Sequence, residues 1–218
     1  MKRRYELIVF DWDGTLMDSA AMIADSVQAA ARDLGLEPPS DERARYIIGM
    51  GLVEALRHAL PDLPEDHYGD LVERYRHHYL SRDHHLTLFP GAEALVRQLA
   101  DAGHRLGVAT GKSRRGLDRA LAHSGLGPFF GATRCADECH SKPHPQMLEE
   151  LMDEFTVLPE ATLMIGDTTH DLLMARNAGV DAVAVSYGAH RRDVLEAATP
   201  LYCADSIDGL AAWLVDNI

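Results

Sequence analysis

The chain is short of cysteine, of long apolar runs and of positive charge, and each shortage excludes something. Three cysteines in 218 residues, Cys135, Cys139 and Cys203, make no disulfide framework, so a reducing, cytoplasmic setting is expected. Cys135, Cys139 and His140 lie close together, but no second ligand cluster matches their spacing, and a zinc site is not expected. No run of about 18 apolar residues occurs, so no membrane-spanning helix is expected. The basic start Met1-Lys2-Arg3-Arg4-Tyr5 precedes only a short apolar run that leads directly into acids, which is not the pattern of a signal peptide. With 21 Lys and Arg against 34 Asp and Glu, the formal net charge is −13. That balance disfavours nucleic acid and anionic membrane surfaces, both of which call for a basic face. A small anionic substrate stays open, because local charges and a bound metal decide that question. Internal repeats and low-complexity tracts are absent.

Short apolar runs alternate with amphipathic stretches. The runs 6–10, 105–109, 162–165 and 181–185 read as strands, with weaker candidates at 132–135 and 201–203. Helical periodicity covers 92–102, 115–124, 146–155 and 171–178, and Gly103, Gly125 and Gly179 follow three of these segments as helix-closing glycines. Strand–helix alternation of this kind predicts an α/β fold with a parallel sheet covered on both faces. From about Ser19 to Asp83 the alternation stops and only helical patterns appear, which predicts an all-helical insert after the first strand. Within it, 65–80 places Tyr68, Leu71, Val72, Tyr75 and Tyr79 on one face.

Two carboxylates, Asp11 and Asp13, directly follow the apolar run Leu7-Ile8-Val9-Phe10. Like charges that close resist joint ionisation, so the pair calls for a reason. Strand geometry puts them on one side with Trp12 opposite, and Gly14 allows the backbone to turn away sharply. Other strand ends carry polar residues at the same relative place: Thr110-Gly111-Lys112-Ser113, and Gly166-Asp167-Thr168-Thr169-His170-Asp171. The loop His140-Ser141-Lys142-Pro143-His144-Pro145 adds a lysine next to proline. In a parallel sheet the carboxyl ends of the strands form the ligand crevice, so carboxylates, a hydroxyl and an ammonium from four segments are expected to converge there. Asp167 or Asp171 alone is equally a helix cap, Thr110 alone a structural threonine, and Lys142 alone a solvated one.

The motifs together resemble the haloacid dehalogenase superfamily. DWDGT (11–15) resembles its first signature, GVATG (107–111) its second, SKPHP (141–145) its third and MIGDTTHD (164–171) its fourth, in order and over nearly the whole chain. The pair Asp18-Ser19 and the Lys-Pro-x-Pro loop resemble the phosphoglycolate phosphatase-like branch. The resemblance implies a Rossmann-like parallel-sheet core, residues 1–17 and 86–218, with a small helical cap over residues 18–85. It implies Asp11 as a nucleophile that becomes an aspartyl phosphate, and Asp13 as general acid to the leaving oxygen and then general base to water. It implies Mg²⁺ held by Asp11, the backbone carbonyl of Asp13, Asp167 and, from the ligand shell or just outside it, Asp171. Thr110 would donate to a phosphoryl oxygen, and Lys142 would neutralise the nucleophile and the transferring group.

The implied activity is hydrolysis of a small phosphorylated metabolite, 2-phosphoglycolate-like in the first instance, by a monomer or homodimer without nucleic-acid or membrane partners. Pyrophosphatase or nucleotide phosphatase activity, a sugar phosphate mutase and a non-catalytic binding protein are the alternatives. Relatives that cleave carbon–halogen bonds lack the second aspartate, so Asp13 argues against that chemistry. Where close phosphoglycolate phosphatase-like proteins often read Thr-Asn-Lys, this chain has Thr110-Gly111-Lys112, which leaves a backbone N–H to meet phosphate. The glycines of Ile47-Ile48-Gly49-Met50-Gly51-Leu52 make Gly49 and Gly51 candidate substrate contacts, the other reading being a plain turn. Sugar-phosphate enzymes of this kind often place arginine just after such a glycine; here Leu52-Val53-Glu54 follows, with Arg45 and Arg57 at a distance. They also tend to have aspartate after the third motif, where Gln146 stands here. Lys112, Arg114 and Arg115 either steer an anion or cover a helix start, and the imidazole-rich run 77–85 is either a polar surface or an adventitious metal binder.

Overall fold

The computed structural model describes residues 5–218; the basic run Met1–Arg4 lies outside it. Six parallel strands form one sheet: β1 (Leu7–Phe10), β2 (Arg105–Thr110), β3 (Ala132–Cys135), β4 (Thr162–Gly166), β5 (Asp181–Val185) and β6 (Tyr202–Ala204), in the order β3-β2-β1-β4-β5-β6. The first strand therefore lies at the centre, with Leu7 paired to Arg105 on one side and Thr162 on the other. Its four residues Leu-Ile-Val-Phe are all fully buried, as a strand covered on both faces requires. The period-2 alternation decides which layer each residue joins. Ile8 and Phe10 pack with Leu95, Leu99, Leu117, Leu210 and Leu214 of α5 (Ala92–Asp101), α6 (Arg114–Ser124) and α10 (Ile207–Asn217). Leu7 and Val9 pack with Met147, Leu148, Leu151 and Met174 of α7 (Gln146–Phe155) and α8 (Thr169–Asn177). The helix α9 (Arg192–Ala197) packs with Leu195 against Leu172 and Ala184.

Between β1 and α5 the described chain is helical: α1 (Ala20–Asp33), α2 (Asp41–Tyr46), α3 (Leu52–Ala59) and α4 (Tyr68–Leu80). This segment has an apolar core of its own, built from Val27, Ala30, Ile47, Leu56, Ala59, Tyr68 and Leu71. Tyr68 and Leu71 come from the face predicted by periodicity. His78 of α4 pairs with Asp33 of α1 at 2.8 Å, which gives one member of the imidazole-rich run an ordinary partner. The two chain passages joining this segment to the sheet run side by side. Met17 bridges to Leu88, Asp18 N–H donates to the Thr87 carbonyl at 3.0 Å, and Phe89 N–H donates to the Leu16 carbonyl at 2.9 Å.

The helix starts expected at Arg115 and Asp171 fall earlier. Ser113 caps α6 through the Gly116 N–H, and α8 begins at Thr169 because Thr168 and Asp171 form a reciprocal capping box. No described helix is long and apolar enough to cross a membrane.

Candidate active site

The sheet ends at Phe10, and the chain turns at once. Asp11 N–H still donates to the Ile165 carbonyl at 2.9 Å, continuing the β4 pairing, and then Gly14 takes a positive φ of 80°. A side chain there would strain that backbone and would also sit about 2.1 Å from Asp167 Oδ2, so Gly14 serves both the turn and the close approach of β4's acid. Trp12 points into the core, edge-on to Phe130 at 6.3 Å, on the side opposite the acids.

The two acids then part. Asp11 is fully buried. Its Oδ1 accepts from the Trp12 N–H at 2.6 Å and faces the Lys142 ammonium at 2.9 Å. Its Oδ2 has no partner. Lys142, buried along its whole side chain, also donates to Asp171 Oδ1 at 2.7 Å, while Asp171 Oδ2 accepts from the Thr168 N–H and hydroxyl. Asp167 directly follows β4 and is held by the Thr15 hydroxyl at 2.9 Å and the Ala189 N–H at 2.7 Å. One carboxylate oxygen from each of Asp11, Asp167 and Asp171 lies within 4.8 Å of the others, and among the described residues this is the one such group able to hold a metal ion. Cys135, Cys139 and His140 form no comparable group, and neither does the histidine run.

Asp13 faces elsewhere. Lys112 Nζ donates to both its oxygens, at 2.9 and 3.0 Å, and the Ser19 hydroxyl donates to Oδ1 at 2.7 Å. Each acid of the pair therefore has its own ammonium, Lys142 for Asp11 and Lys112 for Asp13. Of the three cations after Thr110, only Lys112 takes this position: Arg114 pairs with Glu138 and Asp118, and Arg115 is exposed. Thr110 is fully buried at the end of β2, where its hydroxyl accepts from the Lys112 N–H at 3.2 Å.

Burial controls the electrostatics. Three buried carboxylates lie together with one ammonium, which pairs with two of them, Asp11 and Asp171. Burial raises Asp11 from 3.8 to about 7; Lys142 opposes the rise, and Asp171 and Asp13 add to it. Asp167 is pushed well up by burial and by the neighbouring Asp11 and Asp171. For Lys142 burial opposes the charge, but Asp11 and Asp171 more than offset it and keep the ammonium protonated.

The glycine loop between α2 and α3 lies over these groups. A side chain on Gly49 would come within 3.7 Å of Asp11 Oδ2 and 3.3 Å of Thr168 Oγ1. Gly51 N–H donates to the Ser141 hydroxyl at 2.8 Å. Beneath, the Cβ that Gly111 lacks would sit about 2.6 Å from the carbonyl oxygens of Gly49 and Met50, so the loop rests directly on that glycine. Two imidazoles hold the loop's other end. His190 Nδ1 accepts from the Thr169 N–H, which leaves its Nε2 to donate to the Tyr46 carbonyl at 3.1 Å. His170 Nε2 donates to the same oxygen at 2.7 Å. Burial lowers both histidines and favours these neutral forms. Arg45 pairs with Asp41 and Arg57 with Glu65, both within the helical segment.

Ser19, Thr15, Ser141, Tyr79, His170 and His190 are the contributors that sequence reasoning missed. Thr15, Ser141 and His170 lie inside the quoted motifs, Ser19 was singled out only as part of a family resemblance, and Tyr79 only as one residue of a helical face. Nothing local marks His190.

Comparison with known proteins gives a consistent result. The family model for haloacid dehalogenase-like hydrolase matches residues 8–185. The chain is 37% identical to "Probable phosphatase IndB" of Dickeya dadantii, over 92% of this chain and 89% of that one. It is 30% identical to a phosphoglycolate phosphatase of Vibrio parahaemolyticus, over 94% of each. A crystal structure described as a predicted phosphatase from Clostridium acetobutylicum superposes with a TM-score of 0.86 at 24% identity, over 98% of this chain and 99% of that one, a likeness of fold.

Proposed function

The chain belongs to the haloacid dehalogenase-like hydrolases, and from that premise we propose that it is a Mg²⁺-dependent phosphomonoesterase that carries the phosphoryl group on Asp11. The observation that carries this reading is the buried Asp11 carboxylate: one oxygen is fixed by Trp12 and Lys142, and the other is unpartnered and faces the glycine loop. A buried carboxylate oxygen left without a partner is costly unless it has work to do.

Asp11 attacks phosphorus, and the ester oxygen leaves with a proton from Asp13. Asp13, now ionised, takes a proton from water as that water attacks the aspartyl phosphate, and Asp11 is restored with release of phosphate. Lys142 neutralises the nucleophile, and Thr110 donates to the phosphoryl group. The residues fit a magnesium ion: the donors are all hard carboxylate oxygens, one of them unpartnered, and burial without enough countercharge raises Asp11 and Asp167. Asp11, Asp167 and the backbone carbonyl of Asp13 would hold it. Asp171, whose oxygens are taken by Lys142 and Thr168, supports the lysine. The ion supplies positive charge against the anionic substrate. The helical segment 18–85 acts as a cap that excludes water, with Gly49 and Gly51 beside the substrate and Gly111 beneath the loop.

The substrate is a small phosphorylated metabolite, with 2-phosphoglycolate first in line because a relative of similar length carries that name. The test is phosphate release from a panel of phosphorylated metabolites that includes 2-phosphoglycolate, pyrophosphate and nucleotides, with Mg²⁺ and with EDTA, for wild type and Asp11→Asn. Metal-dependent release lost in Asp11→Asn is expected. Full activity in the folded variant would overturn the nucleophile assignment, and isomerised product without free phosphate would mean a mutase.

A further inference from the structure

Lys112 is buried beside the reacting acid, and the steps above give it no part. Its ammonium has three N–H bonds to give: two go to the oxygens of Asp13, and the third goes to the Tyr79 hydroxyl at 2.9 Å. Both the Lys112 and Asp13 side chains are only 10% exposed, so this is not a lysine left in solvent to steer ions. The three groups around Asp13 come from different parts of the chain. Lys112 follows β2 in the sheet, Ser19 directly precedes α1 where the chain enters the helical segment and gives its hydroxyl to Asp13 rather than to a cap bond, and Tyr79 lies in the last turn of α4. Tyr75, one helical turn earlier, stacks on the Tyr79 ring at 5.8 Å and fixes its direction. Tyr79 thus links the helical segment, through one ammonium, to a carboxylate at the end of the central strand.

We propose that Lys112 and Tyr79 are positioning residues for the general acid. The Lys112 ammonium orients the Asp13 carboxyl group through its two oxygens, and the Tyr79 hydroxyl fixes the ammonium only when α4 sits against the sheet. Seating of the helical segment and readiness of the acid are then one event. This rests on the reading of Asp13 as general acid. A buried ammonium with all three donors placed holds its carboxylate firmly, because any other position leaves a buried charge less well paired. Loss of the phenol hydroxyl frees one of those donors and loosens the set.

The readout is leaving-group dependence. Acid catalysis matters for a basic alkoxide and hardly at all for p-nitrophenolate, so a displaced acid slows one and spares the other. A merely structural defect slows both alike. Values of kcat/KM are measured with p-nitrophenyl, phenyl and benzyl phosphate, three esters of similar size, for wild type, Asp13→Asn, Lys112→Met and Tyr79→Phe. For these esters kcat/KM reports steps up to loss of the alcohol, so the common hydrolysis of the phosphoenzyme does not enter. Tyr79→Phe keeps the ring and its stacking, so it guards against a folding failure of Lys112→Met.

Lys112→Met and Tyr79→Phe are expected to lose at least about tenfold more activity on benzyl than on p-nitrophenyl phosphate, below the loss in Asp13→Asn. Equal losses on all three esters in both variants, with Asp13→Asn still selective, would overturn the proposal and leave the acid assignment standing. Selectivity in Lys112→Met without it in Tyr79→Phe would overturn the link to α4. If Asp13→Asn is itself unselective, the acid reading fails and the proposal fails with it.

Discussion

Asp11 should be a burden on the metal-free protein, and replacing it by Asn should stabilise the fold while removing the activity. Asp11 rises from 3.8 to about 7 because burial disfavours the charged form more than Lys142 favours it. At about 1.36 kcal/mol per pH unit, that rise places roughly 4 kcal/mol against the ionised native state. The sign follows from proton binding. Between about pH 4 and pH 7 the native carboxyl holds a proton that the unfolded chain has lost, so native stability falls as pH rises through that window. Asn has the shape of the protonated acid and no charge to bury. Lys142 keeps Asp171 at 2.7 Å, so the change does not strand the ammonium. The advantage of Asp11→Asn in EDTA should therefore be near zero at pH 4, about 2 kcal/mol at pH 5 and at most about 4 kcal/mol at pH 8. Asp167 shares the same field, so part of this will be taken up by redistribution of a common proton. Urea unfolding at pH 5 and pH 8 in EDTA measures the difference. Magnesium should then narrow the gap, since a cation stabilises wild type by about 2.7 kcal/mol at about a hundred times its Kd, and close it near a thousand times Kd, where the gain is about 4.1 kcal/mol. Equal stabilities at pH 8, or a gain that does not grow with pH, would refute the account of a buried, under-compensated carboxylate.

Other outcomes follow from the same geometry. A proton on Asp11 competes with a cation, so Mg²⁺ affinity by calorimetry should fall up to about tenfold per pH unit below about 7; a flat profile from pH 5.5 to 8 would contradict this. Gly111→Ala puts a methyl about 2.6 Å from two backbone carbonyls of the loop above, which must lift; a loss of about 1–3 kcal/mol in kcat/KM is expected, and unchanged kinetics would show that the loop does not rest there during turnover. Leu71 is fully buried in the separate core of the helical segment, and Leu71→Ala should cost about 2–5 kcal/mol in denaturant unfolding.

The sheet was legible because its strands are short, apolar and flanked by helices of clear period. The central strand Leu7–Phe10 could be read from four residues, and the alternation of its side chains between two layers follows from the same four. Helix starts were less legible, since a cap is a matter of local side-chain bonding: Asp171 reads as a first helical residue but is the third, behind the Thr168 cap. The outermost strand was placed one residue early, at 201–203 against Tyr202–Ala204, where the apolar signal is weakest. The short helices α2 and α3 were visible only as a helical tendency, because six and eight residues give periodicity too few turns.

The site divides along the same line. Asp11, Asp13, Thr110 and Asp167 stand at or just past strand ends, Lys142 in the loop after β3 and Asp171 in the first turn of the helix after β4, and parallel-sheet topology brings such places together. The groups that hold them in place carry no such mark. Lys112 reaches Asp13 across 99 residues and Tyr79 across 33, and His170 reaches Tyr46 across 124. Lys112 meets Asp13 because both follow neighbouring strands, whereas no spacing rule links Tyr79 to Lys112 or Tyr46 to His170, since those partners are set by how the helical segment lies on the sheet.

That dependence resolves the puzzle of two acids placed side by side. Were both to share one cation, one carboxyl would hold a proton at neutral pH and the pair would behave as a single coupled group. The turn at Gly14 instead sends Asp11 toward Lys142 and the β4 acids, and Asp13 toward Lys112 and the helical segment. Two residues apart in sequence, the two carboxylates have separate cations, although Asp13 still adds to the rise of Asp11. One belongs wholly to the sheet and the other is shared with the helices above it. On the roles proposed above, a nucleophile must be ready before substrate arrives, and an acid is useful only after water is shut out. Partners on the sheet suit the first requirement, and a partner on the helical segment suits the second.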